Sequence, residues 1–305
     1  MNIYINIANR FLSSVNDTGK FTSIISIVGI CIGSFALVIS ISVLNGFENK
    51  LDEKISNFDG HLKISGLNQD YDLTKFRTIK SITDLSFSSD RKGIIKSNTS
   101  EALITFKQLD FDKLNSFYNI PFVGDISDDN KIVVGNDIAS RLGLSIGDEV
   151  VISSPLDQNS IFGFPSTVKT YISAIFFSKI LDYDNRYILI SNRLGNKVFY
   201  NNSNLPSLDV KISDVSKIEV VKAKVANTID KGNKVNSWKE RNTVLVSAIE
   251  MEKLGSIIVL SLIVVVASFS VISTISLITM KKIKDIGVLR LLGMELFNVK
   301  KIIII

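Results

Sequence analysis

The sequence predicts a membrane protein: two transmembrane α-helices flank a large α+β extracytoplasmic domain, and a short cytoplasmic helix follows the second. Three observations predict it. Residues 21–44 ("FTSIISIVGICIGSFALVISISVL") and 255–280 ("GSIIVLSLIVVVASFSVISTISLITM") carry no charged side chain, and about 20 apolar residues are enough to cross a hydrocarbon core. The positive charge is asymmetric: the net +5 of the chain arises outside residues 45–254, where eight Lys and Arg stand against three acidic residues. Lys and Arg collect on the cytoplasmic side of membrane spans, which places the neutral segment 45–254 outside. Between the spans, apolar alternations of period two are interspersed with stretches of helical period, the pattern of a folded domain of mixed structure.

Taken in order, residues 1–20 place Ile3, Ile7 and Phe11 on one helical face with Arg10 off it, which predicts a cytoplasmic interfacial segment. The first span, 21–44, is longer than the core of a cleaved signal peptide, about 7–15 residues, and no A-x-A pattern follows it. It reads as an uncleaved helix. In the domain 45–254, strands are expected at 61–65 ("HLKIS"), 102–106, 131–134, 149–153, 170–176, 186–191 and 208–213. Helices are expected at 136–144 and 214–229, the second opening on Asp214 as a cap. "GLSIGDEV" (143–150) joins a small helix to a strand through a Gly-Asp turn. Residues 153–167 ("SSPLDQNSIFGFPST") read as a structureless loop. The second span, 255–280, leads into a cytoplasmic segment, 281–297, and 298–305 reads as the truncated start of a third span.

Several chemistries have no residues to carry them. The one histidine, His61, has no second histidine or nearby cysteine with which to hold a metal, and it reads as a loop residue without a chemical role. Cys31 lies in the first span, so the outer domain has no thiols; at about 200 residues it is large enough to fold without disulfides. Neither G-x-x-x-x-G-K-[ST] nor G-x-G-x-x-G occurs. The chain is therefore expected to bind no cofactor, and any ATP and Mg to belong to another polypeptide. Carboxylates are plentiful, but nothing in the sequence pairs two of them for acid–base work, and a catalytic role is not expected. No basic stripe interleaved with aromatics points to nucleic acid.

The segment "MKKIKDIGVLRLLGM" (280–294) needs a partner. Lys281, Lys282 and Lys284 mark the cytoplasmic end of the span. Ile286, Val288, Leu289, Leu291, Leu292 and Met294 then lie nearly all round a helix broken only by Arg290. Ten residues span about 15 Å, too short to cross a membrane. Lipid at the interface or a groove on a cytoplasmic partner would cover it equally well.

A resemblance chooses between them. Trp238, the approach Glu250–Met251–Glu252–Lys253, Phe269, and the run Lys282…Asp285–Ile286–Gly287–Val288–Leu289–Arg290…Gly293 resemble the corresponding region of lipoprotein-releasing ABC transporter permeases of the LolC/LolE type. That group also includes the macrolide exporter MacB and the division protein FtsX. "SVLNGFENKL" after the first span and "NDIASRLGLSIGDEVVISSP" in the domain resemble the same family. The chain departs from it at Phe269–Ser270–Val271, where Phe-Asn-Ile is common, and in ending where the family has two further spans.

The resemblance implies a permease subunit in the inner membrane, multi-pass, with its large domain in the periplasm. Its partners would be an ABC ATPase subunit, a second permease (identical or sister), a lipoprotein substrate and a periplasmic lipoprotein chaperone. Asp285, Ile286, Gly287, Leu289, Arg290, Gly293 and Met294 would form the coupling helix that contacts the ATPase, its glycines ending the helix on either side. ATP-driven closure would push on this helix and the second span would carry the motion outward. Phe35 and Phe269 would line a lipid cavity. Pro155, Ile161, Phe162, Phe164 and Pro165 would belong to a hook that recruits the chaperone. A MacB-like export permease or an FtsX-like scaffold regulating a cell-wall hydrolase is the alternative.

Overall fold

The computed structural model describes residues 17–67, 71–97, 100–158, 165–199, 206–229, 232–295 and 297–298. In chain order the first elements are α1 (Asp17–Asp59), β1 (Leu62–Ser65), α2 (Thr74–Arg77), β2 (Ile82–Lys96), β3 (Glu101–Leu109), β4 (Phe122–Gly124) and β5 (Ile132–Gly135). Then come α3 (Asn136–Leu142), β6 (Glu149–Gln158), β7 (Pro165–Phe176), α4 (Leu181–Asp184), β8 (Tyr187–Ser191), α5 (Asn192–Val198) and β9 (Ser207–Ile212). The last are α6 (Ile218–Thr228), β10 (Lys234–Ser237), α7 (Trp238–Arg241), α8 (Thr243–Lys281) and α9 (Ile283–Leu291). The chain divides into two units, Asn49–Val246 and the pair of segments Met1–Glu48 and Ser247–Ile305. The two long helices continue past the borders expected at 45 and 254, α1 to Asp59 and α8 from Thr243. The interfacial segment expected at 1–20 lies almost wholly outside the described residues, and so does the third-span start at 298–305.

Both long helices pass through the apolar runs. In the unit formed by the two outer segments, Gly33 is buried and a Cβ on it would stand 3.4 Å from Cγ2 of Ile263, so the runs pack on each other there. Lys253 reaches Asn45 Oδ1 at 3.1 Å and Glu48 Oε2 at 3.9 Å. Most of the remaining apolar surface is uncovered: Ile32, Val38, Val43, Ile258, Leu262 and Val266 are all exposed. Each such side chain left in water forgoes roughly 1.5–3 kcal/mol, whereas lipid covers it at no such cost.

The unit Asn49–Val246 is built on a mixed sheet in the order β10-β1-β9-β2-β3-β8-β5-β7-β4, with β6 pairing both β2 and β7. Those last pairings close β2, β3, β8, β5, β7 and β6 into a ring. Its filling comes from the inward positions of all these strands, including Ile95, Ile104, Phe106, Ile132, Val134, Ile152, Ile172, Ile188 and Ile190, with Ile138 and Leu142 of α3 and Leu194 and Val198 of α5. The opposite faces are covered too. Val133, Leu189, Ala174 and Phe176 pack with Phe58, Leu114, Phe117 and Tyr118. Strands buried on both faces read as continuous apolar runs, which is why "KIVV" and "RYILIS" are recognisable. A second face of the sheet, carrying Leu62, Ile64, Leu208 and Val210, is covered by Val221 and Val225, one turn apart on α6.

β2 is the strand the sequence conceals. Its first half pairs with β9 and its end with β6, so it bends from open sheet into ring. Gly93 sits at the bend, and a Cβ there would overlap the Phe106 ring and the Ser153 carbonyl oxygen. The expectation of a structureless loop at 153–167 is corrected at 153–158 and 165–167, while 159–164 lie outside the described residues. β6 and β7 continue their ladder through Ser154↔Ser166 to Gln158↔Pro165, with a register break that takes in Pro155, which has no N–H to give the ladder.

Candidate functional site

The first candidate is α9. Its N-cap is Lys282, whose Nζ is 3.0 Å from Oδ2 of Asp285, and Asp285 in the first turn complements the positive end of the helix dipole. Arg290 complements the other end. After Leu291 the backbone closes a Schellman motif: Gly293 N–H donates to the Arg290 carbonyl at 3.0 Å and Met294 N–H to the Leu289 carbonyl at 3.2 Å. Gly293 has φ +90°, a conformation that favours glycine. Gly287 is different: it lies in the middle of α9, not at an end, which corrects the expectation that the glycines bracket the helix. The i→i−4 ladder runs through it because glycine only weakens a helix, by roughly 0.5–1 kcal/mol against alanine. No residue of α9 is buried. Val288, Leu291 and Leu292 are exposed while Ile286, Leu289 and Met294 are half-buried, so apolar surface, with the exposed Arg290 beside it, is left for something else to cover.

The other expected site residues lie elsewhere. Phe35 on α1 and Phe269 on α8 are both exposed. Pro155 is exposed on β6, and Pro165 opens β7. Ile161, Phe162 and Phe164 lie outside the described residues. Trp238, one of the residues that carries the resemblance, is buried at the start of α7, behind a capping box of Ser237 and Glu240.

The second candidate is a buried charge cluster that the sequence did not announce. Lys107 on β3 is completely buried, with its Nζ 2.8 Å from Asp59 Oδ1, 3.8 Å from Asp90 Oδ1 and 3.9 Å from Asp209 Oδ2. Lys63 on β1 lies 2.8 Å from Asp90 and 3.8 Å from Asp209, and Arg241 Nη1 lies 3.2 Å from Asp59 Oδ2. Three cations thus face three carboxylates. Tyr183 donates to Asp59 at 3.2 Å, while Tyr118 and Ser88 donate to Asp209 at 3.0 and 2.6 Å. Asp59 belongs to the charged end of α1, beyond Glu48, Lys50, Asp52, Glu53 and Lys54, and so outside the apolar run.

The electrostatics follow from position. Burial alone would push the Asp59 carboxyl up, but Lys107, Lys63 and Arg241 outweigh it and hold it well below the usual range. Burial would lower the Lys107 ammonium, yet Asp59, Asp90 and Asp209 hold it well above its ordinary value. Asp209 goes the other way: burial raises it, and Lys63 and Lys107 only partly offset that. The signal that could have found these groups is a charge inside an apolar strand pattern, as in "HLKIS" and "SLDVKI".

His61 is also more than a loop residue. Its Nδ1 accepts the Ile212 N–H at 3.2 Å, which requires an unprotonated nitrogen. Burial, with the charge of Lys211, lowers its pKa to about 4. Between about pH 4 and 6.5 the unfolded chain binds the proton that the folded chain refuses, so stability is present above 6.5 and falls as pH drops. Allowing for partial exposure, the loss by pH 4.5 is about 1–2 kcal/mol. His61→Asn, which keeps an acceptor, is expected to flatten the decline in melting temperature between pH 7 and 4.5. Fluorescence of Trp238, the one tryptophan, reads it directly.

Comparison with known proteins decides the family. The model of the MacB-like periplasmic core domain matches residues 23–228. The chain belongs to the MacB-like periplasmic core domain family. It is a membrane protein whose MacB-like periplasmic domain combines a mixed sheet with helices. The lipoprotein-releasing system transmembrane protein LolC of Buchnera aphidicola is 26% identical over 99% of this chain and 78% of that one. LolC of Neisseria meningitidis is 23% identical over 97% and 75%, and LolE of Haemophilus influenzae 22% over 92% and 71%. These relatives bear out the LolC/LolE-type resemblance. Among solved structures, the periplasmic region of MacB from Actinobacillus actinomycetemcomitans aligns with 64% of this chain and 95% of that one, at TM-score 0.40 and 10% identity. The extracellular domain of the transporter YknZ covers 58% and 99%, at TM-score 0.38 and 11% identity.

Proposed function

We propose that this chain is a permease subunit of an ABC transporter that extracts lipoproteins from the outer leaflet of the inner membrane. ATP is hydrolysed by a partner subunit, and the lipoprotein passes to a periplasmic chaperone. What carries the reading is the extent of the similarity: the lipoprotein-releasing relatives align with up to 99% of the chain, across both apolar runs, the MacB-like domain and α9. The chain is the non-catalytic member of the complex. Its α1 and α8 are the transmembrane helices, the MacB-like domain is periplasmic, and α9 is the cytoplasmic coupling helix.

The physical task explains the parts. Each CH₂ drawn from lipid into water costs roughly 0.8 kcal/mol, so a multi-acylated protein does not leave unaided. An apolar cavity formed with a second permease, identical or sister, would receive the chains, with Phe35 and Phe269 in its wall. α9 offers the ATPase an apolar face with the guanidinium of Arg290, a fork suited to a carboxylate. Pro155 on β6 and Pro165 on β7 lie on either side of the segment 159–164 that would recruit the chaperone, with Ile161, Phe162 and Phe164 as its contacts. Deleting 156–166 is expected to abolish transfer of lipoprotein to the soluble chaperone while ATP hydrolysis by the complex continues. Measuring both on one preparation tests this, and undiminished transfer refutes the hook. A MacB-like exporter or FtsX-like scaffold would tolerate the deletion.

A further inference from the structure

The buried charges have no role in the lipoprotein-releasing reading as it stands, and they are a costly way to fill a core. Ion pairs taken out of water are often replaced by apolar side chains of similar volume with no loss of stability. What such a cluster has and an apolar plug lacks is direction, because each contact fixes one donor on one acceptor. The places it fixes are informative. Asp59 is the last residue of α1, and Arg241 is the last residue of α7, two positions before α8 begins at Thr243. The carboxylate of Asp59 is shared between Arg241, at 3.2 Å, and Lys107 in the middle of the sheet, at 2.8 Å. Arg241 Nη2 also reaches the Asp59 carbonyl at 3.5 Å. Trp238 is buried behind the capping box, and the Asn242 side chain donates to its carbonyl at 2.9 Å, so the α7–α8 junction has little freedom of its own.

We propose that Asp59 is the pivot of an ionic joint that fixes the end of α1 and the start of α8 to the sheet. Arg241 and Lys107 are its two arms, and Asp90, Asp209 and Lys63 neutralise it. These are positioning residues. In the permease reading, on which this part rests, the joint is where displacement of the two helices becomes displacement of the periplasmic domain.

The test uses the full chain in nanodiscs, with Asp59→Asn and the milder Arg241→Gln, which leaves Lys107 paired. Amide hydrogen exchange at 238–246 and 55–61 is expected to rise roughly tenfold or more beyond any rise in β5 and β8 in both variants, because a joint loosens locally in excess of whatever stability the whole domain loses. Unchanged exchange at 238–246 in both overturns the joint. So does a rise spread evenly over β5 and β8, because the cluster would then be a general contributor to stability. With the ATPase and second permease present, local loosening with lipoprotein release lost at undiminished ATP hydrolysis supports the coupling role. Loosening with normal release overturns that role. If the unaltered complex releases no lipoprotein, the permease reading fails while the exchange result still decides the joint.

Discussion

Replacing Lys107 by Met is expected to lower the unfolding temperature of the domain by roughly 6–20 °C. The substitution keeps the volume of the side chain and its packing against the Phe58 and Tyr118 rings, which lie 5.0 and 5.5 Å from Nζ. What it removes is the one cation in contact with all three carboxylates. Lys63 and Arg241 remain, so the cluster is left with one negative charge too many. Removing one partner of a buried pair costs about 3–5 kcal/mol, and each kcal/mol shifts a domain of this size by about 2–4 °C. Lys50→Met is the control. Its pair with Glu53 is nearly as short, 3.0 Å against 2.8 Å for Lys107 and Asp59, but both side chains are mostly exposed, and such pairs are worth at most about 1 kcal/mol. Trp238 fluorescence on heating distinguishes the two. Equal shifts for Lys107→Met and Lys50→Met would mean that burial does not set the strength of these contacts.

On the proposed permease reading, Arg290→Glu is expected to reduce co-purification of the ATPase roughly tenfold or more, with the chain still found in the membrane. Arg290 lies in the last turn of α9, where it complements the helix dipole, and it is the one charge amid Val288, Leu289, Leu291 and Leu292. Reversing it replaces an attraction for a carboxylate by a repulsion, and charge pairs closed off from water by an apolar rim are the ones whose loss is felt most. In the proposed topology, membrane insertion would depend on 255–280 and on Lys281, Lys282 and Lys284, which the substitution leaves in place. Normal recovery of the ATPase with the variant would exclude Arg290 as a docking residue.

The extent to which the sequence could be read follows from how local each feature is. The strands at 132–135 and 187–191 were legible because both their faces are buried and their apolar run is unbroken. β2 was not, because "ITDLSFSSDRKGIIK" serves β9 with one half and β6 with the other, and the alternation changes partner at Gly93. The strand ends at 153–158 and 165–167 were hidden by Pro155, which falls in a register break of the ladder, and by Pro165, which opens β7. The Schellman turn at Gly293 was legible as a helix stop, while the same residue type at Gly287 gave a false one. Glycine permits a turn but does not require it.

What the sequence by itself determined is the membrane character of the chain and its kinship. A charge-free run is a property of consecutive residues, and short motifs around Glu250–Lys253 and Asp285–Arg290 need no tertiary context to be recognised. Only the tertiary structure decided that Asp59, Lys63, Asp90, Lys107, Asp209 and Arg241 form one cluster. They come from α1, β1, β2, β3, β9 and α7, up to 182 residues apart, and a charge inside an apolar strand pattern does not by itself say which others it meets. Their meaning arises when the sheet removes them from water and leaves them one another as partners, because at that point Coulomb attraction is no longer screened and every unpaired charge has a cost.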